Sequence, residues 1–187
     1  RRKLDSKREP GGADVLPGTY KLKLIFGDES SETSIEVKGD PRREIPVSIL
    51  QAKYDAIKEM ESNQELAVGH VEQLKDKIEI VEKLIKLMKD KDEKGFEEQI
   101  KLSKDVKDTL NTFMALYFGK EDDRQGITAD QLDNVSNHLG NVSFYVGNAT
   151  HAPSSTEEAL MKKFKEEMTE ANSKVDAYLS EEWPKYR

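Results

Sequence analysis

Apolar and polar side chains alternate one for one early in the chain, and from residue 46 onward the spacing opens to about three and a half. In "TYKLKLIF", Tyr20, Leu22, Leu24 and Phe26 fall on one side, with Lys21, Lys23 and Ile25 opposite. "TSIEVK" repeats the alternation, with Ile35 and Val37 facing one way and Ser34, Glu36 and Lys38 the other. The turn residues of "GDESSE" lie between, which predicts a β-hairpin with a connection from Gly27 to Glu32. Pro17-Gly18 and Gly39-Asp40-Pro41 punctuate its two ends.

Beyond Pro46 the period is helical. Helix one is expected from Val47 or Ser48 to about Lys89, roughly 65 Å at ~1.5 Å per residue. Its seam reads Leu50, Tyr54, Ile57, Val68, Val71, Ile78, Val81, Ile85 and Met88, widened by Met60, Ala67, Leu74 and Leu84. The polar gap "ESNQE" at 61–65 and Gly69 mark where a bend would fall. Helix two is expected from Asp92 to Phe118, with Phe96, Ile100, Val106, Leu110, Phe113, Met114 and Tyr117 inward and Gly119 closing it. Helix three is expected to start on a capping box of Thr128 and Gln131 and to bury Leu132, Val135, Leu139, Val142 and Val146. Helix four opens near Ser154 or Ser155, buries Leu160, Phe164, Met168, Ala171, Val175 and Leu179, and stops at Pro184.

The fold class that follows is mainly α: an antiparallel four-helix bundle, up-down-up-down, with one very long first helix and a β-hairpin in front. Residues 1–16 read as a basic flexible segment, 17–42 as the hairpin and 43–187 as the bundle. One end of helix one must overhang the bundle or find other company, and the hairpin is expected to supply it. Two strands are marginal alone in water, so the hairpin must lie on the helices or pair with further strands.

Composition narrows function more than it names one. The chain has 187 residues, 35% hydrophobic and 36% charged, with a net charge of −7. The regular apolar spacing separates it from disordered chains of similar polarity. Both signs of charge are interspersed along the helices, an arrangement unlike a nucleic-acid binder. There is no cysteine, which removes disulfides, thiol catalysis and thiolate metal sites. No apolar run approaches the ~20 residues of a membrane span. The chain starts without an initiator Met or a signal-peptide core, so it is expected to be a mature product or a piece of something longer.

No catalytic, cofactor-binding or metal-binding residues are expected, and no cofactor. His70, His138 and His151 each lack a Glu three residues before them, so the Glu-x-x-His motif of metal-carrying bundles is missing, and all three read as surface or boundary residues. "EDDRQGITADQL" resembles a calcium loop only in outline. Aligned on Gly126, it places Leu132 where a bidentate Glu is needed. The acidic residues mostly have Lys neighbours at helical spacing and read as solvated ion pairs. Asn141-Val142-Ser143 and Asn148-Ala149-Thr150 match the glycosylation pattern, the first within a predicted helix. Phe144, Tyr145, Trp183 and Tyr186 are expected to complete the ends of the core rather than to form a platform for sugar or peptide.

"PGTYKLKL", the turn, "SIEVKGDPR" and a long helix opening "SILQAKYDAIKEM" resemble the C-terminal region of large bacterial proteins with an Asp-box, sortilin-like β-propeller, often labelled glycosyl hydrolases. "NVSFYVGNATHAPSSTEEALMKKF" extends the resemblance, which covers nearly the whole chain after Val15. It departs in separating Pro153 from Thr156 by two serines. The resemblance implies that the hairpin is the remnant of an immunoglobulin-like β-sandwich, followed by a helical bundle, in a periplasmic or extracellular protein. Any propeller and its catalytic residues would lie upstream. The expected function is therefore a non-catalytic, C-terminal structural or accessory module whose partners are upstream domains of a parent protein or another protein. The alternative is a stand-alone helical-bundle module for protein interaction. The open strand edges also suggest homo-association through residues 19–26 or 33–38.

Overall fold

The computed structural model describes residues 13–120 and 134–186. In chain order it contains β1 (Gly18–Phe26), β2 (Glu29–Val37), α1 (Val47–Asp92), α2 (Glu97–Phe118), α3 (Val135–Asn148), α4 (Ser155–Glu181) and the one-turn α5 (Trp183–Tyr186). The fold is the mainly helical one that the periodicity requires, four helices with a very long first member behind an antiparallel hairpin. The calcium-like stretch and the Thr128–Gln131 capping box with Leu132 lie outside the described residues. So do residues 1–12 of the basic segment. Ala13 within that segment is tied down, its N–H donating to Glu61 Oε1 at 2.9 Å.

α1 is one continuous helix of 46 residues through the polar gap and Gly69. Its length sets the arrangement of the others. Glu59 meets Lys165 and His70 meets Asp176, so α4 runs in the same direction as α1. Tyr117 meets Asn172 and Ser103 meets Tyr186, so α2 runs against α4 along the upper half of α1. Lys53 donates to the carbonyls of Gly147 and Ala149 at the foot of α1. His138 meets Glu167. α3 therefore also runs against α1 and α4, along the lower half. The directions read up, down, down, up, and the strict alternation expected from the sequence does not hold. At ~1.5 Å per residue, α1 spans about 69 Å, while α2 and α3 end to end span about 54 Å. Two short helices in tandem thus cover most of the long one, and Leu16 and Pro17 lie beside Leu50 and Tyr54 near its foot.

The core is a column of Ala56, Met60, Ala67, Val71, Leu74 and Val81 from α1, Leu110 and Tyr117 from α2, Val135, Val142 and Val146 from α3, and Phe164, Met168, Ala171 and Val175 from α4. Met60, Ala67 and Leu74, read as flanking positions, sit at its centre, whereas Val68 and Leu84 point to solvent. The reason is drift: a seam of period 3.5 moves around a helix of 3.6 residues per turn over forty residues.

Local chemistry fixes the ends. α2 begins at Glu97, five residues later than expected, because residues 93–96 turn the chain after α1. There Asp92 Oδ1 accepts from the N–H of Gly95 at 3.1 Å, and a Cβ at Gly95 would strike that carboxylate. Gly119 closes α2 at φ +80°, donating to Ala115 O at 2.8 Å. Asn134 caps α3 by accepting from the N–H of Asn137. Ser154 caps α4 in a reciprocal capping box with Glu157. That backbone N–H bond, then the Ser154 hydroxyl, hold the Glu157 carboxyl below its ordinary range. Pro184 does not simply stop α4. It sits in the first turn of α5, where a proline's missing N–H is not needed. α5 brings Trp183 and Tyr186 onto the core, with the Tyr186 hydroxyl donating to Ser103 Oγ at 2.8 Å.

Tyr117 is the largest side chain in the buried centre, and its hydroxyl donates to Asn172 Oδ1 at 2.7 Å. Burial, with the Asp176 charge second, pushes its hydroxyl up to about 12. The unfolded chain ionises this group near 10, so its contribution is complete below pH 10 and is lost as pH rises through 12. Tyr117→Phe should cost about 1–3 kcal/mol at pH 7, because Asn172 is left unpaired. The gap to the parent chain should narrow between pH 10 and pH 12, as read by urea denaturation across that range. Leu110→Ala should cost about 2–5 kcal/mol in the same assay, with an unchanged m-value.

Candidate interaction surface

The hairpin is tighter than its sequence suggests. A two-residue loop, Gly27-Asp28, joins Phe26 to Glu29, and β2 starts four residues earlier than expected. Gly27 has φ +60° and Asp28 does not share it, the signs of a type II′ turn, whose twist matches that of paired strands. The register Tyr20↔Ile35, Leu22↔Thr33 and Leu24↔Ser31 places Tyr20, Leu22, Leu24, Phe26, Ile35 and Val37 on one face. Lys21, Lys23, Ile25, Glu32 and Glu36 share the other.

No residue of either strand is buried. Leu24 is 72% exposed and Phe26 85%, with Leu22, Ile25 and Ile35 also exposed. The helices therefore do not cover the apolar face, and of the two covers expected for it, packing on the bundle is excluded. The hairpin is anchored at its base. The Tyr20 hydroxyl donates to Leu16 O at 2.7 Å. Leu16 and Pro17, together with Leu50, Tyr54 and Ile57 of α1, line a cleft of about 80 Å³. On the other side Arg42 grips Asp40 with Nε and Nη2 at 3.0 and 2.9 Å, while its N–H donates to Oδ1. That side-chain bond first, then the backbone bond, hold the Asp40 carboxyl below its usual range. Both connections to α1 are thus shaped, and the strands project from them.

The remaining candidates read as structure. His70 lies between Leu66 O at 2.8 Å and Asp176 Oδ1 at 3.0 Å. His138 contacts Glu167, and His151 lies 3.8 Å from Glu157. Each histidine meets a carboxylate of α4; for His70 and His138 the partner lies on another helix, which sequence spacing could not reveal, whereas His151 precedes Glu157 by six residues. Among the described residues, no group of three or more His, Asp or Glu side chains is placed to hold a metal ion. Likewise no described helix is long and apolar enough to cross a membrane. Phe144 and Tyr145 do not complete the core as expected. They form an exposed edge-on pair, centroids 5.6 Å apart, because the inward stripe of α3 is Val135, Leu139, Val142 and Val146. Asn148, of the second glycosylation pattern, ends α3 and donates to Phe144 O at 2.7 Å.

What this surface offers is hydrogen-bonding backbone and apolar area, the two things that strand addition uses. Comparison with known protein families, with curated proteins and with solved structures finds no match for this chain.

Proposed function

We propose that this chain is a non-catalytic accessory module that works by contact, its hairpin taking cover from strands outside the bundle. The observation that carries the reading is the apolar face of β1, left in water beside a bundle that has completed its own core. Burying a residue of the size of Leu or Phe is worth about 1.5–3 kcal/mol, so several such side chains on one face make strand addition favourable. The resemblance of residues 17–42 and of the helices to the C-terminal region of propeller-bearing bacterial proteins suggests where those strands come from. They belong to upstream domains of an exported parent protein, with the bundle steadying the end of its β-module.

Residue-resolved hydrogen exchange on this chain and on its natural full-length gene product tests the reading. Amides along a free edge of the hairpin, on β1 or β2, should exchange at least about tenfold more slowly in the full product, because completed ladders protect them. A natural product that itself begins at Arg1, or equal exchange in the two, removes the parent-protein reading.

A further inference from the structure

The two strands differ in what they can tolerate at their free edges. A two-residue loop makes its flanking pair, Phe26–Glu29, exchange both backbone hydrogen bonds, and alternate pairs then do the same along the ladder. Gly18, Tyr20, Leu22, Leu24 and Phe26 thus point their N–H and C=O groups inward. Those of Thr19, Lys21, Lys23 and Ile25 point outward from β1, and those of Ser30, Glu32, Ser34 and Glu36 outward from β2.

β1 is apolar along its whole covered-type face and carries Ile25 on the reverse. β2 is polar on both faces from Glu29 to Ser34. Inner strands of an antiparallel sheet are apolar on the covered face, and natural sheet edges are more polar and charged. β2 therefore has the composition of an edge strand, and β1 that of a strand with neighbours on both sides. Charge then sets the neighbour. On the reverse face Lys23 Nζ lies 3.5 Å from Glu32, and Glu36 is 3.7 Å from Lys38. Lys21 stands opposite Ser34, an uncharged residue.

We infer that the free edge of β1 takes an extended peptide strand alternating acidic and apolar side chains, its acidic residues beside Lys21 and Lys23 and its apolar ones continuing the Tyr20–Leu22–Leu24 face. This rests on the reading of the hairpin as an interaction element and specifies its partner. A second copy of the chain fits less well. Pairing β1 with its own copy would set lysines against lysines.

The test uses two synthetic nine-residue peptides, one alternating Val and Glu, the other Val and Lys, titrated into the full chain and followed by NMR. The acidic peptide should bind at least about tenfold more tightly, since two favourable cross-strand pairs replace two repulsive ones. It should slow exchange of the Thr19, Lys21, Lys23 and Ile25 amides and leave those of Ser30, Glu32, Ser34 and Glu36 unchanged. Lys21→Glu with Lys23→Glu, both exposed and away from the core, should reverse the preference. Equal binding of the two peptides, absence of binding at millimolar concentration, or protection at β2 instead overturns the inference. So does β1 protection that rises with chain concentration in the absence of peptide, which would make a second copy the occupant. Protection of the hairpin through β2 in the full-length product would leave the accessory role standing and remove only this assignment.

Discussion

A helix of 46 residues with an apolar stripe along most of its length has to be covered along most of its length. No single partner in this chain is long enough. α4 follows α1 in the same direction, and α2 and α3 divide the opposite side between them. This one requirement determines which side chains meet. It brings Tyr117 to Asn172 in the middle, Lys53 to the C-terminal carbonyls of α3 at the foot, and Tyr186 to Ser103 near the top. It also accounts for the histidines. α4 is the element shared by both halves, and its carboxylates face whatever the other helices present.

The same requirement explains which expectations from sequence hold. Inward positions of α2 and α4 were legible because each helix is short enough for a period of 3.5 to remain in phase. Leu110, Phe164, Met168 and Val175 lie where the spacing put them. On α1 the phase slips, so Met60, Ala67 and Leu74 take the centre while Leu84 turns outward. The order of directions was not legible. Antiparallel alternation is the natural inference for equal helices joined by short loops, and these helices are unequal. Phe144 and Tyr145 show a related limit. Aromatic character suggests burial, but the angular position of Phe144 on α3 puts it opposite Val142 and Val146, and Tyr145 lies at the flank of that stripe.

At the hairpin, the faces were readable and the turn was not. Alternation in "TYKLKLIF" placed every side chain of β1 correctly, because the period of two leaves no freedom once one face is named. "GDESSE" looked like a connection throughout, since Ser and Glu are poor strand formers. Yet Gly27 at φ +60° closes the turn within two residues, and the rest of the stretch pairs with β1. Pairing imposed by a tight turn outweighs weak intrinsic preference. What no local pattern could report is whether the helices would reach the apolar face, because that depends on where α2 and α3 end up.

Had α2 and α3 lain side by side in strict alternation, part of α1 would have remained bare, and the strands would have been the obvious cover. Tandem placement covers most of α1, and the strands, none of whose residues is buried, add nothing to that cover. The strands are left with a strongly biased composition, greasy on β1 and polar on β2, held by shaped connections at Leu16–Pro17 and Asp40–Arg42. A hairpin selected only as a lid on helices would need apolar residues on both strands of one face. Ile35 and Val37 supply them near the base of β2, whereas Ser31 and Glu29, opposite Leu24 and Phe26, break the face toward the turn. The apolar face is thus carried mostly by β1 and fades on β2 toward the turn.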